Sequence, residues 1–171
     1  MRLPHAQRGL TLVEALVSLF ILSLAVTGAF ALISYNLSSA NDIKNGFIGS
    51  GLAQEGIEVV RNMRDADWFN AYPFGAFGTG ASPLPDGMYR VAWDSQELVA
   101  DATNPVLNKD ASGFYDYAAG TPTIFHRSVE IQRVVPSSGP VVEIVATVRV
   151  SWTGHFGTRE IRAEEHLYNW Y

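Results

Sequence analysis

The feature that most constrains this chain is the run from Leu10 to Ile33, about 24 residues, almost all apolar, entered through Gly9 and carrying a single carboxylate, Glu14. A helix rises ~1.5 Å per residue, so ~20 apolar residues cross the ~30 Å hydrocarbon core of a bilayer. The run therefore predicts a membrane-spanning helix. An acidic side chain inside such a helix costs roughly 2.5 to 3.5 kcal/mol even on lenient insertion scales, and residues retained at that cost usually mark function. The plainer alternative is a glutamate that snorkels to the headgroups from near the helix end.

Met1 to Gly9 carries Arg2 and Arg8, with His5 between them and no acid. Basic flanks stay on the cytoplasmic side, which orients the chain N-in, C-out. A secretory signal peptide competes with this reading. Its small-residue cleavage site follows the apolar stretch, and Ala25-Val26-Thr27-Gly28-Ala29 has that character.

Arg8-Gly9-Leu10-Thr11-Leu12-Val13-Glu14-Ala15-Leu16 resembles the class III signal of type IV prepilins and pseudopilins. The resemblance implies a cut between Gly9 and Leu10 by a membrane-embedded prepilin peptidase, followed by N-methylation of Leu10. It implies that Glu14, at the fifth mature position, pairs with the N-terminal amine of a neighbouring subunit. Other pilin subunits and an inner-membrane assembly platform are then its partners, with membrane lipid around the helix before assembly. Many members begin the mature chain with phenylalanine; leucine here points to a minor, PilV-like component. Elementary electrostatics favours the same pairing, because a carboxylate facing an ammonium in lipid removes two costly isolated charges at once.

The resemblance implies a minor pilin-like subunit of a type IV pilus or related filament serving adhesion, motility or DNA uptake. Within the family the alternative is a type II secretion pseudopilin; outside it, a signal-anchored surface binding domain that never polymerises. The expected location is the cytoplasmic (inner) membrane as a single-pass protein, then an extracytoplasmic or cell-surface filament.

The remaining length fits one extracytoplasmic head. With 171 residues, 47% hydrophobic and 17% charged, the chain accommodates one membrane helix and one soluble domain of roughly 100 residues. The expected division is a leader over 1–9, a transmembrane helix over 10–33, an amphipathic continuation over 34–67 and a sheet head over 68–171. A net charge of -5 and the lack of any long basic block give no support for a nucleic-acid surface. There is no cysteine, so neither a disulfide nor a thiolate metal site can form. In this the chain departs from many Gram-negative pilins, whose C-terminal loop is pinned by a disulfide.

Beyond Ser34, Ile43, Phe47, Leu52, Ile57, Val60 and Met63 recur at helical spacing and predict one apolar face that packs on the head. Gly46, Gly49, Gly51 and Gly56 each lower helix propensity by about 1 kcal/mol relative to alanine, which predicts local unwinding or bending. Glu58 and Arg61 read as a solvated helix face. From Asn70 to Gly80, proline, clustered glycine and Tyr72, Phe74 and Phe77 form a loop that, with Trp68 and Phe69, covers the domain's edge.

The rest alternates with the period of a half-buried strand. Gly87–Asp94 sets Tyr89, Val91 and Trp93 on one face, and Ile124–Val135 points Val129 and Ile131 inward. Val141–Trp152 aligns Val142, Ile144, Ala146, Val148, Val150 and Trp152, Gly154 makes a turn, and Phe156–Leu167 returns as a hairpin. Residues 107–117 read as a turn and a short strand. The expected fold is α+β and pilin-like: a long N-terminal helix packed on an antiparallel β-meander of about four strands.

Nothing in the head reads as catalytic, and no cofactor or metal is implied. His126, His155 and His166 lack metal-site spacing, and alternation places only Glu164 with His166 on one side of a strand. No nucleophile elbow or phosphate loop occurs. Asp94, Asp101, Asn104, Asn108 and Asp110 supply oxygens of the kind calcium takes, as in some pseudopilins, but without the order of an EF-hand.

Overall fold

The computed structural model describes residues 11–118, 120–137, 139–155 and 157–169. It is α+β, with one long helix, α1 (Leu12–Phe69), and one antiparallel sheet. The chain divides into two compact units, residues 1–41 and 42–171.

Within the first unit α1 is exposed from Leu12 to Leu37 and is as apolar as a bilayer span requires. Its hydroxyl groups are not left bare. Ser23 Oγ donates to the Phe20 carbonyl and Thr27 Oγ1 to the Ser23 carbonyl, both at 2.8 Å. Such back-bonding satisfies a polar group where no water can.

In the second unit α1 buries Gly49, Leu52, Ala53, Gly56, Ile57, Val60, Met63 and Asp67, a stripe at spacings of three and four. Each large side chain so buried contributes on the order of 1.5 to 3 kcal/mol. The stripe begins later than the sequence pattern indicates: Ile43 is 60% exposed and Phe47 76%. The glycines also act differently from expectation, since the helix runs unbroken through all of them. A Cβ at Gly49 would lie 2.7 Å from the Trp152 ring, and one at Gly56 2.9 Å from Val148 Cγ1. Both are points of close approach to the sheet, whereas Gly46 and Gly51 face open space.

Among the described residues the sheet has seven strands instead of about four: β1 (Gly87–Arg90), β2 (Val99–Ala100), β3 (Val106–Lys109), β4 (Tyr115–Asp116), β5 (Thr121–Val134), β6 (Glu143–Gly154) and β7 (Gly157–Tyr168). β5 is its rail. On one side β5 pairs with β6 from Phe125↔Trp152 to Val134↔Glu143, and β6 pairs in turn with β7 as a hairpin. Along its other side two short strands share its length, β3 opposite Thr121 to His126 and β1 opposite Val129 to Ile131. β2 extends β1 and β4 extends β3.

Alternation sends Phe125, Val129 and Ile131 of β5 and Ile144, Ala146, Val148, Val150 and Trp152 of β6 into one core with the helix stripe, together with Tyr89, Val91, Leu98, Leu107 and Leu167. Two expected inward residues lie outside it. β1 ends at Arg90, so Trp93 is released into a loop, where it stacks on Phe114 at 4.5 Å. Val142 precedes β6 and is 41% exposed. Conversely, Phe77 of the aromatic loop is fully buried in the core. Phe156, expected to open the last strand, lies outside the described residues.

Candidate assembly site

α1 begins with a cap. Thr11 stands just before the helix, its carbonyl accepting the Ala15 N–H at 3.1 Å and its Oγ1 accepting the Glu14 N–H at 3.3 Å. Thr11-Leu12-Val13-Glu14 thus has the Thr-x-x-Glu spacing of a capping box, with the threonine half formed. Glu14 is the acidic residue of the first turn, where the helix dipole favours a negative charge, and it is exposed. The cap was readable from Thr11 and Glu14 as residue types three apart. Gly9, Leu10, Arg2 and Arg8 lie outside the described residues.

The residues of the head do not converge on a catalytic or metal centre. Among the described residues no group of three or more His, Asp or Glu side chains could hold a metal ion. Two of the loop carboxylates considered for calcium have other work. Asp101 Oδ1 accepts the Thr103 N–H at 2.7 Å and the Thr103 hydroxyl, its Oδ2 meets Arg90 at 3.2 Å, and these bonds hold its carboxyl below the usual range. Asp110 Oδ1 accepts the Phe114 N–H at 2.9 Å in the β3–β4 turn. Glu164 and His166 do share a face, with Nε2 3.4 Å from Glu164 Oε1, and Glu143 joins them from β6 at His166 Nδ1. Glu143 above all raises the imidazole's affinity for its proton. Glu58 and Arg61 lie on an exposed helix face as expected, and Arg61 also pairs there with Glu165 of β7 at 2.9 Å.

Two charged residues of the core escaped the sequence reading. Arg127, an inward position of β5, is 1% exposed. Its guanidinium binds Glu55 Oε1 at 2.7 Å and the Leu52 carbonyl at 3.2 Å on α1, and the Val91 carbonyl at 2.6 Å beyond β1. It ties helix to sheet. The signal was available: strict alternation from Val129 and Ile131 places position 127 inward. Asp67, in the last turn of α1, is 2% exposed, and its Oδ1 accepts the Gly78 N–H at 3.0 Å. Burial raises its pKa, and the Gly78 and Phe77 N–H groups partly offset that.

A family model for the prokaryotic N-terminal methylation motif matches residues 4–30. No curated protein and no solved structure matches the chain. The motif, followed by the apolar part of α1, supports a membrane-anchored protein of the pilin-like or pseudopilin kind, processed by prepilin peptidase and assembled with other pilins.

Proposed function

We propose that this chain is a minor, PilV-like pilin subunit, cut between Gly9 and Leu10, N-methylated on Leu10 and drawn from the membrane into a type IV pilus or related filament by Glu14. The observation that carries the reading is the methylation motif over residues 4–30, which takes in the start of an apolar helix whose first turn bears a lone carboxylate. The cut exposes an ammonium at the positive end of the α1 dipole, where it is unfavourable unless an anion approaches. Glu14 of a neighbouring subunit supplies that anion, and the pair sets axial register between parallel helices. Residues 10–33 then serve as the membrane span before assembly, 34–67 as the helix that carries the head and 68–171 as the surface the filament displays, outside the cytoplasmic membrane. An inner-membrane assembly platform is the machinery such a subunit requires. No enzymatic step is assigned to the chain.

Mass spectrometry of the N-terminal peptide, taken from protein in its native membranes, tests the processing. A chain starting at N-methylated Leu10 is the expected result. A chain starting at Met1 makes the protein a signal-anchored domain, and one starting near Ala29 makes it a secreted one. Recovery of the protein in sheared surface fibres is expected for a pilus subunit; a secretion defect without fibres in a deletion strain assigns it to a secretion pseudopilus instead.

A further inference from the structure

Where α1 ends, a cavity of about 300 Å³ opens between the helix, the following loop and the end of β7. Aromatic side chains of Trp68, Tyr72, Phe74 and Tyr168 wall it, and Arg64, Asp67 and Asn169 stand among them. We propose that this cavity is a saccharide-binding site that takes one neutral pyranose ring of a glycan. The proposal concerns the head alone and does not depend on how the chain assembles.

The chemistry of the walls selects that ligand. A pyranose presents apolar C–H faces and a rim of hydroxyls. Aromatic faces cover the former, and a guanidinium, a carboxyl and an amide offer donors and acceptors for the latter. The volume is at the small end of the ~300 to 1,000 Å³ found for small-molecule pockets, enough for one ring. Charge argues against an ion. Arg64 is already paired, its Nε 2.6 Å from Asp65 Oδ1, and burial biases Asp67 towards its neutral form. A cation would meet the Arg64 guanidinium with no free carboxylate opposite it, and an anion would compete with Asp65 for that guanidinium, so neither gains a free counter-charge.

The site is also preformed. Asp67 holds the loop against the helix end, its carbonyl accepting the Tyr72 N–H at 2.9 Å and its Oδ1 the Gly78 N–H at 3.0 Å. Its Oδ2 is buried with no hydrogen-bond partner among the described residues. The Tyr72 ring packs against Gly80, its Cζ 3.2 Å from where a Cβ would stand. The same loop keeps Ala71 and Phe77 at φ of 56° and 46°, positions costly for residues with side chains and retained most often around ligand clamps.

The test uses the full-length chain in lipid nanodiscs and saturation-transfer NMR with the methyl glycosides of glucose, galactose, mannose and N-acetylglucosamine, with tetramethylammonium as the charged control. Saturable transfer from at least one glycoside is expected, with a Kd on the order of 1 mM that weakens at least tenfold in Trp68→Ala. Trp68 is 73% exposed, so its removal spares the fold; Asn169→Ala provides a second variant, expected to weaken binding in the same direction. Failure of every glycoside to saturate overturns the proposal. So does undiminished binding in both variants, or binding of tetramethylammonium alone, which would make the cavity a cation cage.

Discussion

Gly56 of α1 and Val148 of β6 meet with no room for a methyl group between them: a Cβ at 56 would stand 2.9 Å from Val148 Cγ1. Helix propensity alone favours Gly56→Ala by about 1 kcal/mol. Overpacking of the helix–sheet contact opposes it by roughly 1 to 3 kcal/mol, so the variant is expected to lose stability. Gly51 faces open space, and Gly51→Ala is expected to gain up to about 1 kcal/mol. Urea denaturation of the two variants beside the parent reads the difference, and equal gains at both positions would contradict the close approach.

Arg127 makes a second join between the layers. Arg127→Ala strands the Glu55 carboxylate and two carbonyls, and is expected to cost roughly 3 to 5 kcal/mol, the range for breaking a buried pair. Glu55→Gln leaves the buried Arg127 guanidinium an oxygen acceptor and removes only its counter-charge, and is expected to cost less, roughly 1.5 to 3 kcal/mol. A smaller loss from the arginine variant than from the glutamate one would show that the guanidinium does not anchor α1.

Asp67 gives stability a pH dependence of definite sign. Its folded-state pKa is raised above the ordinary 3.8 by burial, so the folded chain holds this proton more tightly than the unfolded one. The group's contribution is therefore greatest below pH 3.8 and is lost as pH rises through the folded-state value. Asp86, Asp101 and Glu130, whose pKa values are lowered by arginine or hydroxyl partners, act in the opposite sense in both parent and variant. Asp67→Asn keeps an oxygen for the Gly78 N–H yet cannot ionise. The gap between variant and parent is expected to widen in the variant's favour as pH rises from about 4 to 7. Denaturation midpoints that run parallel across that range would remove Asp67 as the cause.

Glu14 stands in the first turn of α1 and has a proposed role in assembly, and the two are separable. Glutamine retains the Thr-x-x-Gln spacing of a capping box and removes the charge. If Glu14 pairs with a neighbour's amine, Glu14→Gln and Glu14→Ala both insert in the membrane and both fail to enter filaments. If Glu14 serves only the cap, glutamine assembles normally. Immunoblots of membrane and sheared-fibre fractions distinguish these results, and Gly9→Leu, expected to leave uncut precursor in the membrane, serves as the processing control.

The long regular elements were legible because their periodicity is sustained. Ile144, Ala146, Val148, Val150 and Trp152 repeat often enough to set both the strand and its buried face. β2 and β4 are two-residue strands, too short to carry a period, and they exist because β1 and β3 offer them free edges. Trp93 continues an alternation past the point where pairing stops, so hydrophobicity pointed inward while the backbone did not; Val142 is still bonded through its backbone to Val134 and Asn169 but is 41% exposed. At Gly49 and Gly56 intrinsic propensity was overruled by tertiary contact with Trp152 and Val148. Of the candidate site, Glu14 stands out by its isolation in an apolar run, whereas the buried role of Arg127 depends on partners far away in sequence and that of Asp67 on how the loop after α1 folds back over it.

β1 and β3 lie end to end along β5, and between Val129 and His126 neither supplies a main-chain partner. Side chains close that gap instead, with the Tyr117 hydroxyl on the Arg127 carbonyl at 2.8 Å and the Arg127 guanidinium on the Val91 carbonyl. Each short strand is thus fastened to the rail on its own terms. Insertions in the segments joining them can lengthen or reshape one half of that flank without shifting the other. A protein built this way can remodel what it shows to its surroundings one panel at a time, while α1, β5, β6 and β7 keep the frame unchanged.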